Sequence, residues 1–286
     1  MNLSKNLYYL IRIAAISIII IFSAIIVSCS RQSPLSKAAH EGDLQALSKL
    51  IDRGTPVDEP DGAGLTPLMR SITGRKLETF NVLLQNGADA NFNTSDGYTP
   101  LIIAVSHGQT EMVKILLEEG ADPNARNNHG NTALLQAAYE GSNNTIVELI
   151  RYGADINAKN GDGTTPLTGS MEHCSADAMN ILLDYGPNID SVSNFGYTAL
   201  MAAANCGLTE EVVRLLEMGA DYSFRNEKGE TAFLYAALYG NSETVKTLIK
   251  AGANPCIKNN EGKSILQLVQ DRGNIEVVKI LEKYCK

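Results

Sequence analysis

From residue 50 to residue 281 every thirty-third position is leucine: Leu50, Leu83, Leu116, Leu149, Leu182, Leu215, Leu248 and Leu281. Three residues ahead of each stands another apolar side chain: Leu47, Phe80, Val113, Ile146, Met179, Val212, Val245 and Val278. Apolar positions three and four apart share one stripe of a helix, so the spacing predicts a helix that buries a single face, once per period. A shorter helix is predicted ahead of it. Thr66, Thr99, Thr132, Thr165, Thr198 and Thr231 mark its starts, with Pro67, Pro100 and Pro166 directly behind, because a hydroxyl can satisfy an orphan backbone N–H and Pro tolerates the first helical position. Along it runs a column of small residues, Ala38, Ser71, Ala104, Ala137, Ser170, Ala203 and Ala236, closed by Val269, that lets neighbouring backbones approach. It ends near Gly42, Gly108, Gly141, Gly207, Gly240 and Gly273, where a left-handed cap residue is wanted. The linking residues, as in ADPNARNNHG at 121–130, are polar and turn-rich and suit a projecting loop or hairpin. A fixed period of about 20 to 50 residues predicts stacked repeats.

The turn glycines Gly64, Gly97, Gly130, Gly163, Gly196, Gly229 and Gly262 hold the same beat, and Ser33-Pro34-Leu35 opens an eighth, altered copy. In the final copy Gln270 and Glu282 replace apolar columns. A stack must turn a polar face outward where it stops, so the array is expected to end there, with residue 286 as its terminus.

The recurring G-x-T-P-L, A-A-x-x-G and L-L-x-x-G-A-D-x-N segments resemble the ankyrin-repeat family. The resemblance implies an all-α ankyrin-repeat solenoid of helix-turn-helix pairs with projecting β-hairpin loops, which binds other macromolecules. One departure is consistent: where the family often carries His, this chain has Met69, Ile102, Leu135, Thr168, Met201 and Leu234, so apolar packing is expected to replace a hydrogen bond. The expected organisation is a signal segment at 1–28, a tether at 29–32 and repeats over 33–286.

The first 28 residues follow another logic. Lys5 and Arg12 precede an uncharged apolar run, Ile13–Val27, shorter than the ~20 residues a membrane-spanning helix needs. Ile26-Val27-Ser28-Cys29 resembles a bacterial lipobox, which implies that Cys29 is lipidated and that the repeats face the periplasm or the cell surface. An uncleaved signal anchor or a plainly cleaved signal are the rival readings. From Cys29 to Ser33 the chain can reach only ~14 Å, so an anchored first repeat would sit near the bilayer.

The 24 basic and 32 acidic residues give a net charge of −8, and −10 once Lys5 and Arg12 are removed with the signal. Such a surface repels nucleic acid and anionic headgroups and favours a basic or neutral protein partner. A monomer is expected. Besides Cys29 there are Cys174, Cys206, Cys256 and Cys285. Corresponding helices in neighbouring repeats lie ~8–10 Å apart, longer than the usual reach of a disulfide, so free, partly buried thiols are expected; the alternatives are a Cys174–Cys206 bridge and a Cys256–Cys285 staple of the C-terminal end.

No residue pattern points to catalysis, a cofactor or a metal. The GKS at 262–264 lacks the glycine that a phosphate loop needs at position 257, which is Ile257. The periodic A-D-x-N lacks the sixth-position glycine of a calcium loop. His40, His107 and His173 fall two repeats apart and are expected to be exposed. Residues that decorate the columns are free for recognition, and by the resemblance the inner face is built from loop tips and first-helix tails. Candidate partner-binding residues are Tyr98, His107, Tyr139, Glu140, His173, Phe195, Tyr197, Asn205 and Tyr239. The expected function is a non-enzymatic scaffold displayed outside the cytoplasm. The alternatives are an inhibitor or immunity protein for one toxin or enzyme, and an atypical enzyme built on Glu172, His173 and Cys174.

Overall fold

A computed structural model of the chain describes residues 32–285; the expected signal segment and Cys29 lie outside the described residues. The chain divides into two compact units, Met1–Ala121 and Asp122–Lys286.

The first unit contains α1 (Pro34–Glu41), α2 (Leu44–Asp52), α3 (Pro67–Thr73), α4 (Leu77–Gln85), α5 (Pro100–Ser106) and α6 (Thr110–Glu118). The second contains α7 (Ala133–Glu140), α8 (Asn143–Arg151), α9 (Pro166–Gly169), α10 (Ala176–Asp184), α11 (Ala199–Cys206), α12 (Thr209–Glu217), α13 (Ala232–Leu238), α14 (Ser242–Lys250), α15 (Ile265–Gln270) and α16 (Ile275–Tyr284). Within each unit the odd-numbered helices pack in succession as one layer and the even-numbered helices form a second, each odd helix packed on the even helix that follows it. Among the described residues no helix is long and apolar enough to cross a membrane.

The capping chemistry is as the sequence predicts. Ser33, Thr66, Thr99, Thr132, Thr165, Thr198, Thr231 and Ser264 all stand at N-caps, and each side-chain oxygen accepts the backbone N–H three residues on. The small-residue column is buried throughout, and Leu83, Leu116, Leu149, Leu182, Leu215, Leu248 and Leu281 are fully enclosed. Burying one leucine contributes roughly 1.5–3 kcal/mol, so this rib is a main source of cohesion between repeats. Leu50 is only half-buried. Met69, Ile102, Leu135, Met201 and Leu234 are buried, and Thr168 instead completes a capping box with Thr165. Gln270 and Glu282 face solvent, as expected of a polar final copy.

The loops reverse direction without a β ladder; among the described residues the only bridge is Lys258 to Ser264. Each tip is closed by one backbone bond across four residues, for example Asn127 N–H to the Asn131 carbonyl at 3.1 Å, with the turn glycine at positive φ. A side chain three residues before that glycine closes the tip a second time. Asp61, Thr94, Asn127, Asn160, Ser193, Asn226 and Asn259 all accept backbone N–H groups of their own loop. The A-D-x-N carboxylates and amides are likewise engaged with backbone, locally and toward the next repeat: Asp58 accepts from Asp89 N–H at 2.9 Å and Asn124 from Asp155 N–H at 2.7 Å.

Free thiols are not what the structure contains. Cys174 is bonded to Cys206 with Cα atoms 5.7 Å apart, and Cys256 to Cys285 at 5.5 Å. The helix-to-helix spacing does not govern the first pair, because α9 stops after four residues and Cys174 sits in the turn beyond it, at φ 52° in a glycine column. The second pair takes over a repeat contact. Asn91 Nδ2 donates to the Gly120 carbonyl and Asn124 Nδ2 to the Gly153 carbonyl, both 29 residues on. Cys256 and Cys285 occupy those two columns at the same separation.

Candidate partner-binding site

Seven of the nine candidate residues lie in the Asp122–Lys286 unit. Tyr139, near the end of α7, is half-buried against Gly169: a Cβ at Gly169 would stand 3.0 Å from the ring. The absence of a side chain at 169 is what seats the ring. Burial, reinforced by the charge of Glu172, pushes the Tyr139 hydroxyl up to about 12, against hydrogen bonds to Thr164 and Asn160. Glu172 lies near this ring, and His173 lies near both Glu172 and Glu140. Both carboxyls are raised above the ordinary range by desolvation; Gln136, donating to Glu140 at 2.7 Å, and the neighbouring His173 oppose the shift. None of the ion pairs among the described residues involves Glu140, Asp162 or Glu172.

A second cluster forms one to two repeats on. Tyr197 meets Tyr235 edge to face, with centroids 5.1 Å apart at 85°. The Tyr235 hydroxyl donates to Glu230 Oε2 at 2.8 Å, and Asn226 Nδ2 donates to the same oxygen. Burial raises both tyrosine hydroxyls. Tyr239 is exposed and carries the Arg272 guanidinium over its ring at 5.7 Å. Phe195, at the tip of its loop, is 63% exposed. Asn205 contributes little through its backbone, since its carbonyl already accepts from Asn241 Nδ2 at 3.2 Å.

The structure therefore groups Tyr139, Glu140 and His173, with Glu172 added, and separately Tyr197 and Tyr239. Tyr235 completes the second group. Sequence reasoning passed over Tyr235 because its column, Arg70, Ile103, Gln136, Gly169 and Ala202, has no constant chemistry. That variability was the available signal.

In the first unit Tyr98 is half-buried and its N–H donates to Thr94 Oγ1. His107 departs from the expectation of exposure. It is half-buried at the C-cap of α5 and its Nδ1 lies 2.9 Å from the Ile103 carbonyl; desolvation lowers its pKa. His40 is also half-buried, near the Arg70 carbonyl. His173 and His129 are exposed.

Of the atypical catalytic trio, Cys174 has its sulfur bonded to Cys206 and offers no thiolate.

No characterised protein shows a significant match to the chain. The sequence model described as "Ankyrin repeats (3 copies)" matches residues 13–94, 73–160, 134–226 and 210–286. Ankyrin repeats are in general modules of protein–protein interaction and not enzymes. The repeat columns, the two helix layers and that match together show that the chain belongs to the ankyrin-repeat family.

Proposed function

We propose that the chain is a non-enzymatic binding scaffold displayed outside the cytoplasm, with the loop tips and first-helix tails of the Asp122–Lys286 unit as its docking face. The observation that carries this is the pair of aromatic clusters around Tyr139 and Tyr197. Their rings are seated by Gly169, by edge-to-face packing and by hydrogen bonds, so little conformational freedom is left to lose on binding. Aromatic anchors of this kind dominate interface energetics. The location rests on chemistry: two disulfides persist in oxidising compartments, in keeping with a signal segment at 1–28 and lipidation at Cys29.

The test is position-specific crosslinking in the native envelope. A photoreactive residue at Phe195 or Tyr139 should trap a partner protein, and one at Tyr152, exposed at the end of α8, should not. Equal yields from both places, or none from Phe195 and Tyr139, overturn the docking face. A palmitate analogue should label the chain, and Cys29→Ala should abolish the label. Unchanged or absent labelling refutes the anchor.

A further inference from the structure

Resting on that docking face, we infer that its partner presents an extended, arginine-bearing segment, read by guanidinium groups stacked on the tyrosine and phenylalanine rings and paired with the carboxylates between them. Three observations lead there. The chain's own Arg272 already lies over Tyr239, so the face accepts a guanidinium on an exposed ring. Around Tyr139 the balance is reversed: Glu172 lies near the ring and Glu140 follows it in the chain, solvent-facing carboxylates to which no Lys or Arg among the described residues is paired. An arriving guanidinium could pair with these carboxylates through charge-assisted hydrogen bonds while it stacks on a ring. Finally, Phe195 projects from its tip as the most exposed aromatic ring of the face.

The kind of segment follows from spacing. Neighbouring repeats lie ~8–10 Å apart and an extended strand rises ~3.3 Å per residue, so one side chain in about three would meet each successive repeat. Arginine fits better than lysine because its planar guanidinium can stack on a ring and pair with a carboxylate together.

The probe is a fluorescent peptide of about fifteen residues with Arg at every third position among Ser and Gly, compared with the same peptide carrying citrulline. Binding to the full-length chain in detergent is read by anisotropy at about 50 mM salt. The Arg peptide should bind at least about tenfold more tightly than the neutral citrulline peptide, and a third peptide with Lys at the same positions should fall in between. The double variant Glu140→Gln/Glu172→Gln, and separately Phe195→Ala, should each weaken it by about three- to tenfold. Glu217→Gln, an exposed carboxylate on α12, should change it less than about twofold, which separates recognition from attraction by net charge. All four positions are solvent-facing, and far-UV dichroism with a urea midpoint confirms that each variant is folded.

Citrulline binding within about twofold of Arg, unchanged affinity in the double variant, or an equal loss in Glu217→Gln overturns the inference. A native partner trapped at Phe195 or Tyr139 that binds through a segment without Arg overturns it while leaving the docking face intact. Absence of any trapped partner removes the docking face itself.

Discussion

Asp61 and Arg70 form an ion pair with Arg70 Nε 2.6 Å from Asp61 Oδ2; the residues are 9% and 1% exposed. Arg70 is the largest fully enclosed side chain among the described residues. Asp61 Oδ1 meanwhile accepts the N–H groups of Ala63 and Leu65 and so closes its loop tip. The array supplies its own controls. Asparagine does that tip duty at 127, 160, 226 and 259, and isoleucine stands at 103 where Arg70 would fall. Asp61→Asn therefore keeps the tip and removes the Asp61 charge from beside the guanidinium. Removing one member of a buried pair costs about 3–5 kcal/mol, whereas replacing both with apolar or neutral groups is often nearly neutral. We expect about 3 kcal/mol for Asp61→Asn and about 2 for Arg70→Ile, but only about 2 for the double variant, a coupling of about 3 kcal/mol. Urea unfolding of the four proteins, with amide exchange over 61–73 as the local readout, measures the cycle. Additive losses, or a cost below about 1 kcal/mol for Asp61→Asn, would refute the claim that this pair is desolvated and mutually dependent.

The terminal disulfide can be exchanged for the contact it displaced: Cys256→Asn/Cys285→Gly should retain about 1 kcal/mol more stability than Cys256→Ser/Cys285→Ser, by urea midpoint. Both should fall below the bridged protein, since closing a loop of 29 residues constrains the unfolded chain by about 3–4 kcal/mol. Gly74→Ala should cost about 1–3 kcal/mol although Gly74 has an ordinary φ of −78°, because its Cβ would overlap the His40 carbonyl oxygen; tolerance within about 0.5 kcal/mol contradicts that contact. Glu172 has a raised folded pKa, so its contribution to stability is fully present below its unfolded pKa and is lost as pH rises through the folded value. Glu172→Gln should accordingly raise the urea midpoint at neutral pH and leave it unchanged near pH ~4, and a gain confined to acid pH would reverse the sign.

The period of 33 determined a great deal. A residue that recurs at a fixed interval meets copies of itself, so its burial and capping role can be read once and carried to the others. That is why the eight N-caps, the leucine rib and the small-residue column were legible without a structure. What the period cannot state is any contact that breaks it. Cys174 and Cys206 are 32 residues apart and meet only because α9 unwinds after Gly169 and turns its chain toward the end of α11. Cys256 and Cys285 meet at a separation of 29, legible only once Asn91 is seen donating to Gly120.

The same division holds at the candidate site. The resemblance pointed to loop tips and first-helix tails as the place for a partner, and the structure brings Tyr139 near Glu172 and Tyr197 against Tyr235. How each ring is held was not legible in the sequence: Tyr139 depends on the missing side chain at Gly169, Tyr197 on the edge of Tyr235, and Tyr239 on Arg272 above it. His107, expected in solvent, is drawn half under by its own helix end. Periodic burial is a property of sequence spacing, because each rung repeats the one before. Pairings between unlike residues depend on distances and directions in space, and only the packed fold decides those.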